Sequence, residues 1–241
     1  MRKYFLFPFL PLLALAVPGA AQDTEIIGRV GVGLMQFAGK DAVATSQLNY
    51  TSYNGYTAGY TNSPYGSQLG TGISLAGRLQ QVSAWGGMFA FDLGYDWLRT
   101  HTGISALNYY DGVSNTARPA TGTISLASNH LAAFLGLGYR LKTAVVDIDL
   151  LAGPEVAYAF DFREKGSGTY DGSQAWNIDN DRWERQIVDP RLRGDATVWF
   201  HRFGVNASYS YGFRNYQSGV VGASPMVYSR ILRLGLAYRL R

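Results

Sequence analysis

The chain has 241 residues, 47% hydrophobic and 14% aromatic, with 29 glycines, no cysteine and a formal net charge of +4. Without cysteine, disulfides and thiolate metal sites are excluded. The modest charge, with no run of Lys or Arg, argues against a nucleic-acid partner.

Residues 1–21 read as an export signal. Arg2 and Lys3 precede an apolar run over 4–17, broken by Pro8 and Pro11, and Gly19, Ala20 and Ala21 offer a cleavage site. The mature chain, 22–241, is expected to form one domain. No later segment has the roughly 18 uninterrupted apolar residues of a spanning helix.

Alternation of period two then runs along the chain, weakly at 26–37 and 71–80 and clearly in "AWGGMFAFDLGYDWL", where Trp85, Phe89, Phe91, Leu93, Tyr95 and Trp97 share a face. Gly86, Met88, Ala90, Asp92, Gly94 and Asp96 share the other. The split recurs in "NHLAAFLGLGYRL", "AVVDIDLLAGPEVAYAF", 190–200, "VNASYSYGFR" and "ILRLGLAYRL", which makes eight strands. Connections alternate as well. Long polar stretches cover about 38–70, 99–122, 161–189 and 214–226, and short turns lie near 81–83, 142–143 and 201–204. This predicts an all-β, antiparallel up-and-down transmembrane barrel with long extracellular loops and short periplasmic turns.

The polar face of each strand carries Gly, Ala, Ser and isolated charges, which suits a confined lumen. The apolar face carries aliphatic residues bounded by aromatics. Trp85, Tyr139, Phe200 and Tyr238 fall at the short-turn end; Tyr95, Trp97, Tyr158, Phe160, Tyr211 and Phe213 fall at the long-loop end, as two membrane-interface girdles would. Lipid offers no partner to a free strand edge, so the first strand must pair with the last. Pro154 cannot donate to a ladder, so a bulge or bend is expected at 152–154.

With this strand pattern and a final "LGLAYRL", the chain resembles the small eight-stranded outer-membrane β-barrel proteins of OmpA and OmpX type. It is especially similar to the outer-membrane β-barrel domain family common in Bacteroidota. The resemblance implies a monomer in the outer membrane of a Gram-negative bacterium, in contact with outer-membrane lipid and with the barrel-assembly machinery that reads such a final strand. It departs from the proteobacterial pattern in ending on Arg241.

Inward charges are expected at Arg29, Arg78, Arg140, Arg191, Arg193, Arg214, Arg233 and Arg239, against Asp92, Asp96, Asp147, Asp149, Glu155 and Asp195. An eight-stranded interior is just wide enough for side chains to fill it, so these should pair into a plug. A narrow ion or solute channel is the competing reading, and the first or third long loop has room for an extra hairpin. A two-residue turn at 142–143 would set His130 opposite Glu155, with Ser128 two residues away on the same face. Such a set can do acyl chemistry, and it resembles that of the lipid A deacylases, which carry histidine before serine.

No metal or cofactor site is expected, although Asp171, Asp179, Asp181 and Glu184 gather acidic oxygens in the third long loop. In the first loop, Tyr50, Tyr53, Tyr56, Tyr60 and Tyr65 stand among Gly, Asn, Ser and Thr, a chemistry suited to a self-packed lid or to binding a glycan or a protein. The expected role is therefore non-enzymatic: envelope integrity, adhesion or binding through the loops.

Overall fold

The computed structural model of the chain describes residues 23–53, 56–181, 186–218 and 225–241; the export-signal reading of residues 1–21 lies outside them. Alternation commits the backbone to extended conformation. The strands are β1 (Asp23–Ala38), β2 (Thr45–Tyr53), β3 (Tyr56–Thr61), β4 (Gln68–Val82), β5 (Gly87–Tyr110) and β6 (Asn115–Lys142). They continue with β7 (Asp147–Tyr170), β8 (Gln174–Asp181), β9 (Ile187–Phe200), β10 (Phe203–Gly212) and β11 (Tyr228–Arg239).

Eight of these, β1, β4, β5, β6, β7, β9, β10 and β11, pair antiparallel in chain order. The ring closes where β11 returns to β1, with Val30 opposite Leu236 and Val32 opposite Leu234. The eight predicted wall strands and the predicted seam are therefore present. Outward positions between the aromatic rows are aliphatic and exposed, among them Val30, Val32, Leu75, Leu79, Leu93, Leu137, Leu150, Leu192, Val205, Leu234 and Leu236. A continuous apolar belt round a ring without edges is the form a sheet takes in lipid, where every backbone polar group must be paired internally.

The long connections are largely strand, and the room for an extra hairpin in the first loop is used. β5, β6 and β7 run for 24, 28 and 24 residues, more than twice the roughly 9–11 of a membrane crossing. Their outer halves stay paired above the belt. The first loop holds the hairpin β2–β3, with β2 parallel to the upper part of β5, and the third holds β8, paired to the upper part of β7. Both loops thus hide strands, yet none enters the wall. The six upper segments form a sheet in the order β3-β2-β5-β6-β7-β8. Its two edges meet where the Asn180 side-chain amide donates to the Gly59 carbonyl and the Thr61 backbone N–H donates to Glu164 at 3.1 Å.

Two local expectations fail. At Pro154 the ladder to β6 lapses for two residues and resumes in the same register, Phe134 opposite Glu155 and Leu137 opposite Ala152. The exposed ring simply goes without its bond, with no bulge. The bulge sits higher, between Ala127 and Asn129 opposite Asp161, whose φ is +53°. An extra residue there flips the inward parity of β7 from odd to even, so Phe162 and Glu164 point inward above it. The second failure is the β6–β7 turn. It is closed by Thr143 N–H to the Val146 carbonyl at 3.0 Å, so His130 lies opposite Ala159 and not Glu155.

The seam generates a test. A Cβ at inward-facing Gly31 would lie within 3 Å of the Leu234 carbonyl and Gly235 Cα, whereas Gly77 has open space. Gly31→Val should cost about 1–3 kcal/mol through overpacking and lower the temperature at which the folded, fast-migrating gel band is lost. Gly77→Val should leave that temperature unchanged.

Candidate functional site

Parity alone decides which side chains enter the ring, and it delivers a charged interior. Seven arginines (Arg29, Arg78, Arg140, Arg191, Arg193, Arg233, Arg239) meet seven carboxylates (Glu25, Asp92, Asp96, Asp149, Glu155, Asp189, Asp195). The pairs stack in tiers along the axis. At the short-turn end, Arg140 binds Glu25 at 2.7 Å and Asp149 at 2.6 Å. Trp199 donates its indole N–H to Asp149 at 2.7 Å, and Arg239 lies 4.1 Å over the Trp199 ring.

In the middle tier, Arg78 reaches Asp92 at 2.6 Å and Asp195 at 3.0 Å. Arg29 bonds the same two acids, and Arg193 joins Asp195 and also reaches Asp92 at 3.2 Å. Above them Glu155 accepts from three guanidiniums, Arg191 at 3.3 Å, Arg193 at 3.4 Å and Arg233 at 3.3 Å. Arg233 also holds Asp96 at 2.8 Å. Sharing each carboxylate among several arginines keeps the charges matched where isolated ions would cost several kcal/mol each. The cavity bordered by Arg29, Asp92, Asp96, Arg193 and Arg233 measures about 30 Å³, room for roughly two waters.

An apolar layer closes the outer mouth. Met35, Phe37, Leu98, Leu126, Phe162 and Ile231 converge from the wall, and Tyr65, Tyr216 and Val227 fold in from the first and last loops. Phe37 takes Tyr65 and Tyr216 edge-on, each at 5.0 Å. The Tyr216 hydroxyl reaches down to Asp189 at 3.0 Å and ties this layer to the charged one. Above it the six-stranded cap wraps a second core of Leu48, Tyr50, Ile104, Leu107, Ile124, Trp176 and Ile178.

The acyl-transfer constellation does not form. Ser128 Oγ lies 2.9 Å from His130 Nε2, as the spacing suggested. However, His130 Nδ1 faces the Arg191 guanidinium at 3.1 Å, and arginine can only donate. Nδ1 is therefore the acceptor, the proton sits on Nε2, and the imidazole donates to the serine it would have to deprotonate. Glu155 spends its oxygens on arginines, a consequence of the four-residue turn that moved it along the strand.

Several other site residues need correction. Arg214 is exposed outside the ring, with its backbone N–H donating to Asp189. Asp147 is partly exposed at the rim, 3.8 Å from Arg239. Tyr50 and Tyr65 are buried packing groups, at 7% and 3% exposure, whereas Tyr60 is 58% exposed; the side chains of Tyr53 and Tyr56 lie outside the described residues. Of the acidic loop, Glu184 also lies outside them. Asp171 pairs with Arg118, and Asp179 with Arg163 and Lys165. The hydrogen bonds from Arg163 and then Lys165 hold Asp179 down at about 2. Among the described residues no group of His, Asp and Glu is placed to hold a metal ion.

Every aromatic assigned to a girdle points outward from the wall, with Trp97 and Phe160 half-buried. Phe203, 5.0 Å from Tyr238, joins the lower row. Glu25, Asp189 and Tyr216 were missed. Inward parity along 26–37 and 190–200 would have pointed to the first two, and nothing in the loop sequence singles out the tyrosine.

No protein-family model matches the chain, and no curated protein does. Among solved structures, the chain is similar to Ail, the attachment invasion locus protein of Yersinia pestis, at 15% identity and a TM-score of 0.37, covering 92% of this chain and all of that one. A second structure of Ail, in complex with the heparin analogue sucrose octasulfate, aligns at 14% identity and a TM-score of 0.34 over 90% of this chain and 99% of that one.

The Glu155 hub sets a graded expectation. Glu155→Gln removes the charge that three buried guanidiniums share, leaving each with its remaining carboxylates, and should lower unfolding stability by about 3–5 kcal/mol. Ser128→Ala removes one hydrogen bond and should cost about 1 kcal/mol. Denaturant midpoints of the protein in lipid vesicles read both.

Proposed function

We propose that this protein is a non-enzymatic outer-membrane barrel whose lumen is plugged and whose cap is a recognition surface outside the cell. The observation that carries this reading is the filling in series along the axis: matched charges, then an apolar layer, then a cap with its own core. An ion crossing such a column would have to displace arginine–carboxylate pairs and then pass Phe37, Tyr65 and Tyr216, so conduction is not supported. Hydrolysis of lipid acyl chains by Ser128 and His130 is not supported either, because this pair is oriented backwards and buried.

What remains chemically is display. Long paired strands raise the cap above the belt and hold it rigidly, and rigid scaffolds that present loops and edges are where binding residues concentrate. Export through residues 1–21, insertion by the barrel-assembly machinery, residence in the outer membrane of a Gram-negative bacterium as a monomer, and a glycan or protein partner at the cap belong to the same proposal. The two aromatic rows would sit at the two lipid interfaces. The protein then contributes to the envelope as an anchored binding element.

Two experiments bear on it. In planar bilayers the purified protein should give no discrete conductance steps, and regular steps would contradict the plug. In cells, Ser128→Ala should leave the acylation pattern of lipid A unchanged, and an altered pattern would restore the catalytic reading.

A further inference from the structure

The two edges of the cap sheet do not form a ladder. β3 and β8 approach each other side by side, held by the Asn180 amide on the Gly59 carbonyl, while Thr61 of β3 bonds Glu164 of the neighbouring β7. The outer face of this junction is a cleft of about 440 Å³ lined by Asn49, Thr51, Ala58, Tyr60, Asn180 and Asp181, within the roughly 300–1,000 Å³ of small-ligand sites.

Its chemistry is specific. Tyr60 is the large exposed ring of the lining, at 58% exposure. Alternation puts Asn49 and Tyr60 directly opposite each other on the outer face of the hairpin. The Asn49 amide is fixed by a bond to Asn62 Oδ1 at 2.5 Å, and its oxygen accepts from Asn108 at 3.1 Å. The rim is therefore pre-set and not a floppy loop. Asp181 supplies the carboxylate of the lining, with Arg163 3.4 Å away. Among the described residues the cleft is lined by no lysine or arginine.

An aromatic plane beside fixed amides, a threonine hydroxyl and a carboxylate suits a pyranose ring. The ring's C–H face packs on tyrosine, while its vicinal hydroxyls donate to carboxylate and amide oxygens. A sulfated or phosphorylated sugar would bring its charge against Asp181, and among the described residues the one guanidinium beside the lining, Arg163, is already engaged by Asp179 and Asp181. An inserted peptide strand is disfavoured as well, because the β3 edge is already occupied at Gly59 by Asn180 and the two strands lie too close to admit a third.

We propose that the β3–β8 cleft is a binding site for an uncharged glycan, with Tyr60 as the stacking platform and Asp181, Asn49 and Thr51 as the hydroxyl-binding groups. The proposal rests on the reading of the cap as a recognition surface and assigns that surface its place and ligand class.

The test uses the full chain in detergent micelles or nanodiscs, with lactose, maltose and N,N′-diacetylchitobiose as uncharged probes and a sulfated heparin disaccharide as the charged one. Ligand-observed saturation-transfer NMR and titration calorimetry give the readout. Saturable binding of at least one uncharged disaccharide is expected, weakened about tenfold by Tyr60→Ala and by Asp181→Asn. Both residues are exposed enough for the fold to survive, which the gel mobility of the folded band checks. Tyr110→Ala, elsewhere on the cap, should leave binding unchanged. Failure of all three uncharged sugars to bind, binding indifferent to both cleft variants, or preference for the sulfated sugar would each overturn the assignment. Attachment of cells to a glycan array separates the two levels. Attachment abolished by deleting 48–66 but indifferent to the cleft variants would keep the cap as a recognition surface and remove only this cleft.

Discussion

A guanidinium cannot be left unpaired inside a ring of strands, and that constraint organises the molecule. Seven arginines enter the lumen by parity, and each must find carboxylate oxygens from other strands. Because one carboxylate serves up to three arginines, as Glu155 and Asp92 do, the wall strands are cross-tied through their interior as well as through their ladders. On the proposed reading the lumen is spent on structure, and what the protein presents to its surroundings comes from its outer wall and cap.

The cap follows from chain length. Strands far longer than the membrane is thick carry their pairing upward, but only three of the eight wall strands are continued. β1, β4, β9, β10 and β11 stop near the belt, while β5, β6 and β7 go on. Three strands alone cannot close, so β2, β3 and β8 are recruited from the first and third loops to surround Trp176, Leu48 and Ile178. The result is two stacked compartments with opposite fillings, charged below and apolar above, joined at Phe37, Tyr65 and Tyr216.

How much of this is legible in the residues depends on which quantity the pattern encodes. A period of two fixes the face of every side chain, so the wall strands, the apolar belt and most of the inward charges can be read directly. Register is another matter. The β6–β7 pairing differs from the simplest reading by four residues, an even number that leaves every face unchanged and moves Glu155 away from His130. No face-based pattern can detect such a slip. The bulge at Asp161 is nearly as silent, since a lone aspartate tolerates a positive φ but is as common in ordinary loops and strand ends, whereas Pro154 advertises a distortion that the strand absorbs by forgoing one bond.

The tyrosine-rich stretch shows the same limit in the loops. Its polar, glycine-rich composition leaves an irregular loop and a protruding hairpin both open, and the alternation of Leu48 and Tyr50 with Asn49 and Thr51 builds a hairpin with an inside and an outside. Only Tyr60 among the described ring positions is left to face solvent. Because the chain has no cysteine, the central claim of a sealed, charge-matched lumen can be tested with single introduced thiols. Ser208, buried at 3% exposure in the lumen wall, would be replaced by cysteine and exposed to a charged methanethiosulfonate in folded protein. The account predicts no labelling until the barrel is unfolded; rapid labelling of the folded barrel would show a water-filled lumen and contradict it.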